Sequence, residues 1–243
     1  MKIVGSKAEV RKILDQLIKE QPDWLSEKII RFIHQKILKQ KIRFPILEHV
    51  AEILHKIIPE KQQLSFLQKI IDLDEIGSYT LAGKILQLRS SSHLKGSFSV
   101  AEKFILQGDK WYVCDIIGER VFGHDLLTVP EKTIPVLIKN SKHQNKWMVR
   151  TIGVAAHYAI KKGLKKKYVE EVFELLLSLA NTTEFHTKKG IGWAAKTTAK
   201  FYPDIIKKHE GELKNNSEIK QWFRTKLKIG LGRSFKYASK YNS

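Results

Sequence analysis

The sequence predicts an all-α protein in which helix pairs repeat along the chain and stack into a curved solenoid. Three observations carry that expectation. Apolar residues recur at helical spacing in nearly every segment, and almost no stretch alternates with the period of a strand. The helices come in pairs joined by short polar turns. Three tryptophan-bearing helices, near Trp111, Trp147 and Trp193, begin at intervals of about 36 to 46 residues, the period of HEAT-like repeats. The units are not visibly self-similar, so the period is one of pattern. In such an α-α superhelix equivalent inner positions line one concave face, expected here to be basic.

Taken in order, Val10, Ile13, Leu14, Leu17 and Ile18 mark a first amphipathic helix, and Trp24, Ile29, Ile30, Ile33 and Ile37 a second, antiparallel to it. Pro22 is expected to end the first and Asp23 to cap the second. Pro45 opens a helix carrying Ile46, Val50, Ile53, Leu54 and Ile57, closed by Pro59. Two more follow, around 64–71 and 76–88. The run Ser90-Ser91-Ser92-His93-Leu94-Lys95-Gly96 predicts a break, after which 98–106 resumes as helix until Gly108-Asp109. A helix over Trp111 to Gly118 comes next. Pro130 starts a segment through Ile138, and a helix over 147–161 is ended by Gly163. Residues 168–179 are apolar on one side, Asn181-Thr182-Thr183 forms a loop with a capping residue, and 184–202 continues to Pro203. The tail is helical to about Ile229 and loosened by Gly230-Leu231-Gly232.

At 243 residues and 42% hydrophobic content the chain can bury a real core. It reads as one domain over 1–243, with a basic C-terminal helix and tail over 214–243. The single cysteine, Cys114, excludes an internal disulfide and a Cys-rich metal site. The start, Met1 to Lys7, lacks the apolar core of a secretory signal, and no apolar run approaches the ~20 residues needed to cross a bilayer. These features predict a soluble, cytoplasmic protein; it is further expected to be a monomer and, where its partner is DNA, to be nucleoid-associated. The net charge of +19 points to a polyanionic partner, nucleic acid foremost. Most of the excess is lysine, which meets phosphates as a point charge and reads bases poorly, so binding by backbone and shape is expected.

Trp111 and Asp115 stand four residues apart, which on a helix places carboxylate and indole on one face, roughly 5–6 Å apart. An indole face and a carboxylate both attract positive charge, a pairing suited to a cationic ligand. The plainer reading is a core tryptophan with a solvated aspartate. Arg150, three residues after Trp147, can meet a phosphate through its planar fork or simply pair with a nearby acid. In Lys188-Lys189-Gly190-Ile191-Gly192-Trp193-Ala194-Ala195-Lys196 two glycines cost a helix roughly 1 kcal/mol each. Close helix packing or an accessible indole between lysines would compensate. The tail interleaves Arg224, Lys226, Lys228, Arg233 and Lys236 with Phe235, Tyr237 and Tyr241, as nucleic-acid-binding segments and plain solvated faces both do. The nine histidines form no i,i+4 pair, and there is neither a P-loop nor a Gly-x-Ser-x-Gly elbow, so no metal or cofactor is expected. Cys114, beside Asp115, is expected to be buried and inert.

Lys110-Trp111-Tyr112-Val113-Cys114-Asp115, Trp147-Met148-Val149-Arg150, Glu184-Phe185 through Trp193, and Tyr202-Pro203-Asp204 together resemble the AlkD family of DNA alkylation-repair glycosylases, over about 30–206. The resemblance implies hydrolysis of the N-glycosidic bond of cationic N3- or N7-alkylated purines in duplex DNA, with the lesion largely stacked and no cofactor. It assigns Asp115 as the catalytic carboxylate, Trp111 and Trp193 as the indoles around the lesion-bearing nucleotide, and Arg150 as an arginine on the DNA backbone. Arg43, Lys188, Lys189 and Lys196 fall among the backbone-facing cations. Lys196 stands where that family has arginine and Arg43 where it has glutamine. The alternatives are a non-catalytic HEAT-like protein that binds distorted or branched DNA, and a protein-interaction scaffold.

Overall fold

Helical spacing of apolar residues translates directly into the observed elements. The computed structural model describes residues 5–19 and 23–241, and its regular elements are helices, with no β-strand among the described residues. Two compact units, Met1–Phe104 and Ile105–Ser243, divide the chain.

In the first unit α1 (Lys7–Ile18) starts on a capping box, in which the Ser6 hydroxyl accepts from the Glu9 amide while the Glu9 carboxylate accepts from the Ser6 amide. It buries Val10, Leu14 and Leu17 along one stripe. The expected stop at Pro22 lies outside the described residues. Asp23 closes a turn with Leu25 and Ser26, and Ser26 precedes α2 (Glu27–Ile33), so Asp23 is not the cap itself. A π-turn, His34–Leu38, extends α2. Next come α3 (Phe44–Ile57), with Pro45 in its first turn, and α4 (Glu60–Ile71). In α5 (Ile76–Gly108) the break expected over Ser90 to Gly96 is found as a kink at His93 (φ −132°, ψ 51°) between two helical stretches, while the serines before it stay helical. Ser90 and Ser91 donate back to the carbonyls of Gln87 and Leu88, bonds compatible with a helix.

In the second unit, which begins with the last turn of α5, Asp109 with its positive φ of 43° makes the corner before α6 (Trp111–Gly118). A π-turn, Glu119–Gly123, and α7 (His124–Thr128) continue that run. Then follow α8 (Pro130–Ser141), α9 (Lys146–Lys161), α10 (Lys166–Ser178), α11 (Phe185–Phe201), α12 (Pro203–Lys208), α13 (Glu210–Asn215) and α14 (Gln221–Leu231). The cap of α11 is Glu184, whose two oxygens accept from the His186 and Thr187 amides, and not the Asn181 to Thr183 loop.

Four of these elements run parallel. Cys114 meets Trp147 and Thr151, and a Cβ on Gly118 would meet Thr151 and Val154, which sets α6 along α9. Arg150 meets His186 and His157 meets Trp193 and Thr197, which sets α9 along α11. Gly192 abuts Lys226 and Gly230 abuts the Lys196 carbonyl, which sets α11 along α14. Residue numbers rise together in each pair, so the intervening helices carry the chain back between strokes. The step is read from hydrogen bonds: Asp115 to Arg150 spans 35 residues and Arg150 to His186 spans 36. This is a helical repeat, but the tryptophans are not its equivalent positions. Trp147 packs on His186 and Trp193 on His157, so the interval from Trp147 to Trp193 overshoots the step.

Glycines set the closeness of the layer. A Cβ on Gly153 would stand 2.1 Å from the carbonyl carbon of Gly190, so α9 and α11 touch backbone to backbone. Of the two readings of the Gly190 stretch, close packing accounts for its glycines.

Candidate functional site

Asp115 sits at the middle of α6, one turn after Trp111, and its side chain is 18% exposed. Both of its oxygens accept from Arg150, Oδ1 from Nε and Oδ2 from an Nη, each at 2.8 Å. The remaining Nη of Arg150 donates to the His186 carbonyl at 2.9 Å. Gly190 makes room for this reach, since a Cβ there would lie 2.8 Å from the Arg150 Cγ. Burial opposes the Arg150 charge, but the hydrogen bonds and the charge of Asp115 outweigh it and raise its pKa above the ordinary value. The arginine is therefore buried and committed to an acid, not extended toward solvent as a free phosphate contact. That outcome matches the plainer of the two sequence expectations for it.

A bidentate guanidinium occupies one lone-pair site on each carboxylate oxygen and leaves the other available. Asp115 is thus an oriented acceptor with part of its side chain open. Trp111, on the same helical face, is 55% exposed, so the indole is available to a ligand and not spent on the core. Cys114, the neighbour of Asp115, points into the α6–α9 contact and is buried there. It donates to the Trp147 carbonyl at 3.2 Å, and burial above all, with the nearby Asp115 charge, pushes its thiol up to about 12. It is inert, as its surroundings predict. Trp147 is buried, with its indole N–H given to the Asp109 carboxylate, so that tryptophan and that acid are structural.

On α11 the residues His186, Lys189, Trp193, Lys196 and Lys200 fall on one helical stripe. Trp193 is half-buried and stacks on His157 with ring centroids 3.8 Å apart. The Thr197 hydroxyl donates to the Trp193 carbonyl at 2.9 Å, so its oxygen accepts from His157 Nδ1 at 2.7 Å, which assigns the proton to Nδ1. His157 is pushed down to about 3 by burial and then by Lys161, Lys196 and Lys200, and stays neutral under its indole. Lys188 is half-buried, while Lys189 is exposed with its ammonium 5.2 Å over the Phe185 ring. Phe185 is itself 59% exposed. Arg43 belongs to the first unit, exposed at the start of α3, and is not one of the groups gathered on this layer.

Within the second unit, then, Asp115 and Arg150 are joined directly, and Trp193 is tied to the same helix, α9, through His157. Sequence reasoning missed His157, Thr197 and Gly153. His157 lies one repeat step before Trp193 and Gly153 about one before Gly190, so a known register points to both, and Thr197 follows as the partner of His157.

A family model described as DNA alkylation repair enzyme matches residues 13–217. No curated protein and no solved structure matches the chain.

Proposed function

The chain belongs to the DNA alkylation repair enzyme family, and from that premise we propose that it is a glycosylase that removes cationic N3- or N7-alkylated purines from duplex DNA, with Asp115 as its catalytic carboxylate. The observation that carries this reading is the Asp115 carboxylate itself, fixed by two 2.8 Å bonds to Arg150, its side chain still partly open, on the same helical face as an exposed Trp111.

The chemistry suits those parts. An alkylated purine is already positively charged, so its glycosidic bond can break with the electron pair passing to the purine, which leaves neutral. No general acid is needed. The deoxyribose becomes oxocarbenium-like, and stabilising its developing charge is what the protein must supply. A carboxylate held in advance does this without reorganising, and in a site shielded from bulk water its field is stronger than in solution. Its remaining lone pairs accept from the attacking water, whose oxygen bonds to the sugar carbon as a proton is released. Trp111 and Trp193 offer indole faces to the cationic sugar and exclude solvent. Lys188, Lys189 and Lys196 meet backbone phosphates as point charges, and Arg43 serves likewise from the first unit. Arg150 in this scheme orients Asp115.

The test is single-turnover release of 7-methylguanine or 3-methyladenine from methylated duplex DNA. Asp115→Asn keeps the shape and removes the charge. We expect release to fall by at least 100-fold, with DNA binding unchanged. Undiminished release by this variant sinks the role of Asp115, and salt-sensitive binding with no release by the unaltered protein leaves a non-catalytic DNA-binding module instead.

A further inference from the structure

The family match ends at residue 217, yet α14 packs on α11 as intimately as α9 does. A Cβ on Gly230 would lie 2.3 Å from the Lys196 carbonyl oxygen, and one on Gly192 would lie 3.0 Å from Lys226 Cγ. The Lys226 stem therefore crosses α11 at the residue preceding Trp193. One helical turn past Gly230 comes Arg233, exposed. The segment beyond α14 is folded back and anchored: Tyr237 and Tyr241 each pack on Phe201 at 5.5 Å, and the Tyr241 hydroxyl donates to the Lys161 carbonyl at 2.6 Å. Lys200 lies 3.4 Å over the Tyr237 ring.

Not every base of this segment is free to act outward. Arg224 donates to the backbone carbonyls of Leu213, Asn216 and Ile219 and holds the loop before α14. By contrast Lys196, Lys200, Lys226 and Arg233 take part in none of the ion pairs of the described residues. They are close enough to disturb each other: burial first, then Lys226, Arg233 and Lys200, lower the pKa of Lys196. Four cations drawn together by two glycine contacts, with no acid among them, make a field that the protein does not neutralise itself.

We propose that α14 and the folded tail join the Lys196–Lys200 stripe of α11 in a phosphate-binding surface for the backbone of duplex DNA beside Trp193, with Lys226 and Arg233 as its added contacts. The inference rests on the reading of DNA as substrate. It adds to that reading a share of the interface contributed by residues beyond the family-matched span.

The experiment measures binding of the full chain to an unmodified duplex by fluorescence anisotropy across a salt series. Each lost phosphate contact lowers the slope of log K against log salt by about 0.9. Lys226→Gln combined with Arg233→Gln is expected to lower the slope by about 2 and to weaken binding by 10-fold or more at ~0.1 M salt. Lys226→Arg restores its share, and Lys84→Gln, whose lysine sits 3.5 Å from Glu52 in the first unit, leaves the slope alone. A double variant with the wild-type slope and an unchanged thermal melt overturns the proposal. Base release from alkylated duplex, measured alongside at saturating protein, separates the two readings. A slope shift without release by the unaltered protein removes the glycosylase and keeps this surface, whereas release with an unshifted slope does the reverse.

Discussion

The first unit holds 18 basic and 12 acidic residues and the second 26 and 13, so about two thirds of the +19 net charge belongs to the second. The manner of pairing differs as well. In the first unit Arg11 bonds Asp15, Lys84 lies near Glu52, Arg89 reaches Gln63 and Glu60, and His34 meets Glu75. In the second, the paired lysines sit on the returning helices: Lys166 with Asp204, Lys208 with Glu170 and Lys214 with Glu210. The parallel layer keeps its lysines out of ion pairs and spends its one acid, Asp115, on Arg150. Exposed pairs contribute little to stability, so the contrast is not about holding the fold together. It tells which layer awaits counter-charge from elsewhere.

The same contrast appears in the glycines and can be broken by single substitutions. Gly153→Ala would push a methyl into the Gly190 backbone 2.1 Å away, and we expect a loss of about 3 kcal/mol and a melting temperature lower by roughly 6–12 °C. A melt within 2 °C of wild type would show that the layer is softer than its contact implies. The next effect is a pH dependence. His157 has its pKa pushed from 6.5 to about 3, so below 6.5 the unfolded chain binds a proton that the folded one refuses. Stability is then full well above that value and is lost as pH falls toward 3, by about 1.4 kcal/mol at pH 5.5. His157→Phe keeps a ring under Trp193 and should flatten this part of the curve in urea unfolding at the two pH values; an equal dependence in the variant discounts His157 as its source. The smallest effect is expected in the first unit. Gly96, with open space around its Cβ position, should tolerate alanine and gain roughly 0.5–1 kcal/mol in the same unfolding assay.

What the sequence made legible follows range. The Trp111–Asp115 face depends on a local i,i+4 relation, and it forms as the spacing requires. The all-α class rests on periodicity that every helix repeats. The Arg150–Asp115 pair spans 35 residues, and its partner choice depends on a register that apolar spacing alone does not fix. Tryptophan was a poor marker of that register, because Trp147 is buried on His186 while Trp193 lies on His157. The break expected over Ser90 to Gly96 is confined to a kink at His93, because the Ser90 and Ser91 hydroxyls bond back to their own turn and carry the helix through the serines.

Where Gly153 meets Gly190, no side chain stands between the two helices. Their separation is then governed by the hard contact of peptide atoms, and rotamer changes that let ordinary interfaces breathe have nothing to act on there. The Arg150–Asp115 pair lies on one side of that contact along α9 and the His157–Trp193 stack on the other. Both are measured from the same fixed point, like two graduations on one ruler, and a substrate straddling them would find the gap already set.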